Sequence, residues 1–380
     1  MRFNSISLTN FRNYAKLDLE IPSGVVVFVG ENGQGKTNLM EACHFLLKGE
    51  SFRPLTSNSL LKHNSENARL EARVSQRDLV HDVKMTFDQG KKHFFLNNHR
   101  VTASSLARQF PVVLFSPESL AAIKDGPDQR RQLLDDVVMT HSTASVKILR
   151  DFRHALRTRN RILKDYKLGF TPQNQARALL ESLDPSYFPL ATELAMARLT
   201  ALRAIASDFR EAAQYVLNQK SVDISVEYVI SGKNAFEWSR SDLLSAMHNR
   251  ALELRESELS SGTSLVGPQR HDIRILFTGK DSRFFCSQGQ QRALILSFKM
   301  AQILYHHRAY QVYPFLLLDD VLSELDPIRR SNLVKFLEGI PAQIFLTTTD
   351  LSFANFQIYA VEMVTGFIGR NRKNRLLDHL

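Results

Sequence analysis

Apolar and polar residues alternate twice near the start of the chain: Ile6 and Leu8 against Ser5, Ser7 and Thr9, then Leu17, Leu19 and Ile21 against Asp18 and Glu20. A period of two sends one face to a core and the other to water, so the spacing predicts two half-buried strands. The next stretch, Val25-Val26-Val27-Phe28-Val29, is apolar on both faces, as a strand covered on both sides must be. Alternation returns in Leu70, Ala72, Val74 and in Val83, Met85, Phe87, ahead of a second apolar run, Val112-Val113-Leu114-Phe115.

From about residue 118 to 264 the period lengthens to that of helices, broken at Gly169-Phe170-Thr171-Pro172 and at Asp184-Pro185. A short strand-like stretch, Val222 to Ile230, interrupts it. Strand signals resume at Ile273-Arg274-Ile275-Leu276-Phe277, Phe315 to Leu318 and Gln343 to Leu346. Phe285 and Cys286 are expected to end a strand. Ser287-Gln288-Gly289-Gln290 then opens a helix whose Leu294, Phe298 and Ala301 share a face. The pattern predicts an α/β domain built from residues 1–117 and 265–380, with a mainly helical lobe inserted at 118–264.

Composition changes this picture in one respect. With 380 residues, 43% of them hydrophobic and 23% charged, the chain reads as an ordinary globular protein. Its formal net charge of +10 makes an acidic partner, first of all nucleic acid, plausible. Cys43 and Cys286 lie far apart in apolar surroundings and give neither a disulfide framework nor a metal motif. The first residues contain no hydrophobic signal core, and no run reaches the roughly 18 apolar residues of a membrane span, so a cytoplasmic protein is expected.

The strongest chemical signal follows the first buried strand. Gly30-Glu31-Asn32-Gly33-Gln34-Gly35-Lys36-Thr37 has the G-x-x-x-x-G-K-T spacing of a phosphate-binding loop and precedes a helix carrying Leu39, Met40, Cys43 and Leu47. Glycines let backbone N–H groups close around phosphates, Lys36 reaches the terminal oxygens, and Thr37 offers a hydroxyl to Mg²⁺. Such a loop needs a second metal partner at the end of a neighbouring strand. The apolar run Phe315 to Leu318 delivers Asp319 to hold Mg²⁺, directly or through water, and Asp320 to polarise the attacking water. The Ser287-Gln288-Gly289-Gln290 helix start offers free N–H groups and a positive dipole end, which suits an anion.

A phosphate loop, a Ser-Gln-Gly-Gln helix start, and an apolar strand ending in two acids and Ser323-Glu324-Leu325-Asp326 together resemble the ABC-type ATPases. The resemblance narrows to the RecF family of bacterial recombination and repair proteins. It is carried by Asn10-Phe11-Arg12-Asn13-Tyr14, Gly30 to Glu41, Ser116-Pro117-Glu118, Gly126-Pro127 with Arg130-Arg131 and Leu134-Asp135, Gly267-Pro268 with Arg270 and Asp272, and Leu317 to Asp326. It implies a mixed-sheet head like that of Rad50, with flanking helices, a compact helical lobe and no long coiled coil. It further implies that ATP is sandwiched between two heads, so that Ser287 and the amides near Gly289 meet the γ-phosphate of a partner copy, and that Arg12 reaches nucleotide phosphates. By the same resemblance the ATP-dependent homodimer clamps DNA at single-strand gaps and junctions. It hydrolyses ATP slowly, acts with RecO and RecR to help load RecA, and supports replication and the SOS response. Three departures matter. Many ABC-type ATPases place a glutamate after the metal aspartate, whereas Asp320 is one methylene shorter, as is usual in the RecF family, and slow turnover is expected. The family's G-P-H-R-D-D is here Gly267-Pro268-Gln269-Arg270-His271-Asp272, so roles at Gln269 and His271 do not carry over. Where transporters place a histidine after the last core strand, this chain has Thr347-Thr348-Thr349-Asp350.

Between Lys147 and Lys167 the chain carries eight cations against Asp151 and Asp165 alone. Leu149, Phe152, Leu156, Leu163 and Tyr166 make a buried stripe, which leaves Arg150, Arg153, Arg157, Arg161 and Lys164 along an adjacent face. Like charges at helical spacing cost a few tenths of a kcal/mol per pair, a cost that a phosphate backbone relieves. Binding through such a face depends on phosphate charge, not on base sequence. The nucleotide-binding subunit of a transporter and a small-molecule P-loop kinase remain as rivals. The first lacks its histidine here, and the second has no use for Ser287 to Gln290.

Overall fold

The computed structural model describes residues 1–53, 60–141, 143–351, 358–364 and 367–373. The chain begins with β1 (Arg2–Phe11), β2 (Tyr14–Glu20), β3 (Val25–Val29) and α1 (Lys36–Lys48), then β4 (Asn67–Gln76), β5 (Leu79–Asp88), β6 (Lys91–Leu96) and β7 (His99–Val101). Next come α2 (Ala103–Gln109), β8 (Val112–Phe115), α3 (Pro117–Leu120), α4 (Pro127–His141), α5 (Thr143–Lys167) and α6 (Gln173–Leu217). These are followed by β9 (Ile224–Ile230), β10 (Lys233–Asn234), α7 (Arg240–Ser261), β11 (Asp272–Phe277), β12 (Lys280–Asp281), α8 (Ser282–Phe285) and α9 (Gln288–Tyr310). The chain closes with β13 (Phe315–Asp319), α10 (Pro327–Glu338), β14 (Ile344–Thr348), β15 (Tyr359–Val364) and β16 (Phe367–Lys373).

Two compact units emerge: Met1–Leu120 with Tyr215–Leu217 and Arg292–Leu380, and Ala121–Gln214 with Asn218–Gln291. The first holds two six-stranded sheets. One is antiparallel, in the order β2-β1-β4-β5-β6-β7, and its strands alternate as the sequence predicts. The other runs β16-β15-β3-β14-β13-β8, parallel apart from β16, and its central strands are buried on both faces. Helix α1 touches strands of both sheets, which is why apolar residues surround it on nearly every side, from Leu39 and Met40 to Phe45 and Leu47. Phe3 joins the layers, with ring centroids 4.7 Å from Phe315 and 5.5 Å from Phe345. The Gln343 amide fastens the same corner: it accepts from Phe3 N and donates to Phe3 O and Pro22 O.

Three expectations are corrected here. Residues 265–291 do not return to the first unit, because β11 pairs antiparallel with β9, Ile273 opposite Tyr228 and Ile275 opposite Val226, in the sheet β10-β9-β11-β12. Phe285 ends a single helical turn, not a strand; Asp281 caps that turn by accepting from Arg283 N at 3.0 Å. Helix α6 does not break at Asp184-Pro185 but runs through Pro185 and Pro189. A proline inside a helix costs about 3 kcal/mol, and burial of the neighbouring Tyr187, Phe188, Ala191 and Leu194 outweighs it.

Candidate functional site

Strand β3 runs straight into residues 30–35, and α1 opens at Lys36. Gly33 and Gly35 are left-handed, with φ of 83° and 99°. A Cβ on Gly35 would lie 2.6 Å from Asn13 Nδ2 and 2.8 Å from the Tyr14 hydroxyl, so that glycine is required twice over. Tyr14 donates to Gly35 O at 3.1 Å, and Asn13 accepts from Asn38 at 2.8 Å. The turn after β1 therefore braces the loop. Lys36 Nζ donates to Gly30 O at 2.5 Å and to Glu31 O at 2.7 Å. No acidic residue stands in the first turn of α1, so the helix itself places no charge against its positive end at the loop.

The parallel register brings the carboxyl ends of three strands together: Asp319 lies opposite Thr347, and Thr348 opposite Val29. Thr347, buried, donates its hydroxyl to Asp319 Oδ1 at 2.9 Å and accepts from Asp320 N at 2.9 Å. One threonine thus positions both acids. Asp320 takes a left-handed φ of 51°, uncommon for any residue but glycine, asparagine or aspartate. Burial pushes the Asp319 carboxyl above the usual carboxylate range, and hydrogen bonds from Thr347 and Thr37 with the charge of Arg53 pull the other way. Burial lowers Lys36, while Asp320 and Asp319 partly restore it. Thr37 and Asp319 offer hard oxygen donors of the kind Mg²⁺ takes, beside an ammonium and a helix start suited to phosphate.

Arg12, expected to reach nucleotide phosphates, is held on α1. Its backbone is left-handed, φ 54°, and its guanidinium forks onto Glu41 on α1, Nε to Oε2 at 2.8 Å and Nη2 to Oε1 at 2.6 Å. Glu41 is fully buried and also accepts from Ser51 Oγ at 2.5 Å. Arg53 donates to Asn38 Oδ1 at 3.1 Å. Glu41 ends the stretch that carries the family resemblance but has no role assigned from the sequence, although an acid inside the apolar face of α1 is itself a signal, since a buried charge requires a partner.

Ser287 to Gln290 belong to the second unit. Ser287 N donates to Gln290 Oε1 at 2.9 Å, and Gln290 N donates to Ser287 Oγ at 3.3 Å. This reciprocal pair is a capping box, so the Gln290 amide is spent on the helix start while Ser287 and Gln288 stay exposed. Gln291, also passed over, donates to Ser282 O, Arg283 O and Cys286 O and fixes the preceding turn. Within the first unit Arg292 pairs with Glu324 at 2.7 Å, tying α9 to the Ser323–Asp326 segment.

The family described as the RecF/RecN/SMC N terminal domain matches residues 2–367. "DNA replication and repair protein RecF" of Heliobacterium modesticaldum is 34% identical over 92% of this chain and 93% of its own length. Its namesake in Lysinibacillus sphaericus is 33% identical over 92% and 94%. The chain belongs to the RecF family. A solved structure of the "recombination mediator protein RecF-ATP in RecFOR pathway" superposes with a TM-score of 0.83 at 27% identity, over 97% of this chain and 98% of that one. The Smc head domain of Pyrococcus furiosus, 17% identical with a TM-score of 0.51, shares the fold. The class expected from the sequence, an ABC-type head of the Rad50 and SMC kind, is therefore the class found.

Against the RecF pattern, the altered motif residues have structural duties. Gln269 donates to Val266 O at 2.9 Å. His271 is buried and shares a 2.9 Å hydrogen bond with the Tyr228 hydroxyl; burial, with Arg198 and Arg131 nearby, pushes its imidazole down to about 3. On α5, Arg150, Arg153, Arg157, Arg161 and Lys164 are all exposed, Arg161 by 85% of its side chain. The ion pairs they make are loose or exposed: Arg150 to Asp151, Arg153 to Asp135 at 4.0 Å, Arg161 to Asp165 at 3.7 Å. Arg159, from the same run, is wholly buried. It bonds Glu258 Oε2 at 2.8 Å and Asp184 Oδ1 at 2.5 Å and lies over the Tyr187 ring. Glu258 in turn accepts from Ser264 Oγ and Leu265 N. The signal was present in the spacing: Ala155, Arg159 and Leu163 recur at steps of four on the buried face.

Proposed function

We propose that this protein is an ATP-dependent DNA-binding protein of recombinational repair, with a slow, DNA-stimulated ATPase that times its release from DNA. The observation that carries the reading is Thr347, on the strand next to the one that leads into the phosphate loop, holding Asp319 and Asp320 at the end of the strand beyond it. ATP binds at Gly30 to Thr37, with Lys36 exchanging the carbonyls of Gly30 and Glu31 for phosphate oxygens. Bound between Thr37 and Asp319, Mg²⁺ would neutralise phosphate charge. Asp320 orients the attacking water. Its side chain is one methylene shorter than the glutamate of faster relatives in the ABC class, which suits slow turnover. Ser287, Gln288 and the amide of Gly289 serve the γ-phosphate of a second copy, with Gln290 holding the helix start in shape. For Arg12, release from Glu41 is the step that would free it for phosphate.

DNA lies against Arg150, Arg153, Arg157, Arg161 and Lys164, bound through its phosphates without sequence preference. RecO and RecR act with it at single-strand gaps and junctions to help load RecA, in the cytoplasm. In support, relatives of this chain carry replication and repair in their names, and a solved structure at 27% identity is assigned to the RecFOR pathway with ATP. The test is molar mass by light scattering with ADP and with ATP·Mg²⁺. ATP is expected to double the wild-type mass, and Ser287→Arg to abolish the doubling while nucleotide still binds. A wild type that stays monomeric with ATP and DNA together removes the two-headed site.

A further inference from the structure

The turn between α5 and α6 presents an aromatic ring that the fold does not use. Leu168 N donates to Lys164 O, Gly169 N to Tyr166 O and Phe170 N to Asp165 O, each at 2.9 Å, with Gly169 left-handed at φ 78°. The last two bonds define a Schellman cap. In that motif the residue after the left-handed glycine frequently packs back on the last helical turn. Here that turn offers Lys164 and Asp165, and Phe170 stays 77% exposed, with Leu168 54% exposed beside it. The cap therefore fixes the backbone of Phe170 without covering its ring. The exposed cations of α5 lead to it: Lys147, Arg150, Arg157, Arg161 and Lys164 extend along about 26 Å of helix at 1.5 Å per residue. Asp165 opposes Arg161 only at 3.7 Å, and Lys167 is spent on Ser261 O.

We infer that Phe170, at the end of this cationic lane, stacks on an unpaired base of bound DNA, with Leu168 against the adjoining sugar. The lane supplies charge complementarity to a phosphate backbone, and an aromatic face accepts any base. A fully paired duplex has no free base face to offer. The inference deepens the DNA-binding reading above and rests on it. Phe170 thus selects single-stranded over duplex segments, and the arginines supply affinity to both.

Full-length protein is titrated with a fluorescent single-stranded oligonucleotide and with a duplex of equal length, with ATP·Mg²⁺ present. Phe170→Ala is expected to weaken single-strand binding about five- to a hundred-fold, the range of one lost stack, and to change duplex binding less than about twofold. The salt slope should be unchanged, because no phosphate contact is lost. Leu252→Ala, at a comparably exposed apolar site on α7, serves as a control and binds as the wild type does. Phe170→Trp should retain affinity, and single strands should quench its emission, read by difference against the parent with its single Trp238. Wild-type affinity of Phe170→Ala for both DNAs overturns the inference and gives the ring to a protein partner. Equal loss on both DNAs also overturns it. A wild type that binds neither DNA fails the earlier reading instead.

Discussion

Removing one hydroxyl should disarm the pair of acids at the carboxyl end of β13. Thr347→Val keeps shape and burial but deletes the donor to Asp319 and the acceptor for Asp320 N, both at 2.9 Å. A hydrogen bond to a charged group contributes about 1.5–3 kcal/mol, and a buried N–H left unpaired costs about 1 kcal/mol or more. The folded first unit should therefore lose about 2–4 kcal/mol, measured as a lower urea midpoint at unchanged slope. If the transition state draws on the same bond, single-turnover ATP hydrolysis should fall about 10- to 100-fold, with nucleotide affinity changed far less. The pH dependence has a definite sign. The Thr347 bond holds the Asp319 carboxyl down against the burial that raises it. Its loss raises that carboxyl further, so the acid limb of the rate profile moves to higher pH. Thr347→Ser, which keeps the hydroxyl, should restore rate and profile. A valine variant with native rate and native acid limb, or a serine variant as impaired as valine, would refute the reasoning.

Two further predictions concern chemistry and pH. Lys36→Met should abolish nucleotide binding and DNA retention together, whereas Asp320→Asn should keep both and stall release; filter binding with and without ATP separates them, and equal loss in both variants undoes the assigned roles. His271 sits near 3 in the fold against 6.5 as its ordinary value, so the unfolded chain binds its proton first, and stability falls as pH drops below about 6.5. The loss is about 1.4 kcal/mol per pH unit from this group, and denaturant midpoints of His271→Gln should flatten that slope between pH 6.5 and 5.

How much of this was legible in the sequence follows from how local each feature is. The phosphate loop and the Asp319-Asp320 pair are written in contiguous residues, and the apolar runs that deliver them mark buried strands. The pairing of β11 with β9 is not local. Ile273 and Ile275 alternate as well as any strand of the first unit, and only the register with Tyr228 and Val226 settles which sheet takes them. The bracing of Gly35 by Asn13 and Tyr14, and the fork of Arg12 on Glu41, join residues about 20 to 30 apart through the turn after β1. Spacing within one element could not show them. The prolines of α6 misled because local propensity was weighed without the burial around Tyr187.

The burial of Arg159 sorts the charges of α5 into two populations with different fates under mutation. Those at 150, 153, 157, 161 and 164 stand on the exposed face, and their removal subtracts mainly from surface potential, with Arg153 also giving up a 4.0 Å approach to the buried Asp135. The charge at 159 is joined to Glu258 and Asp184 inside the lobe; its loss leaves the fully buried Glu258 without its cation, while Asp184 keeps Arg255 at 2.9 Å. A glutamine scan across the whole run would blur ligand affinity with unfolding. Confined to the five outer positions, it yields a chain that folds as before and has lost only its attraction for polyanions, which makes it a clean separation-of-function allele for use in cells.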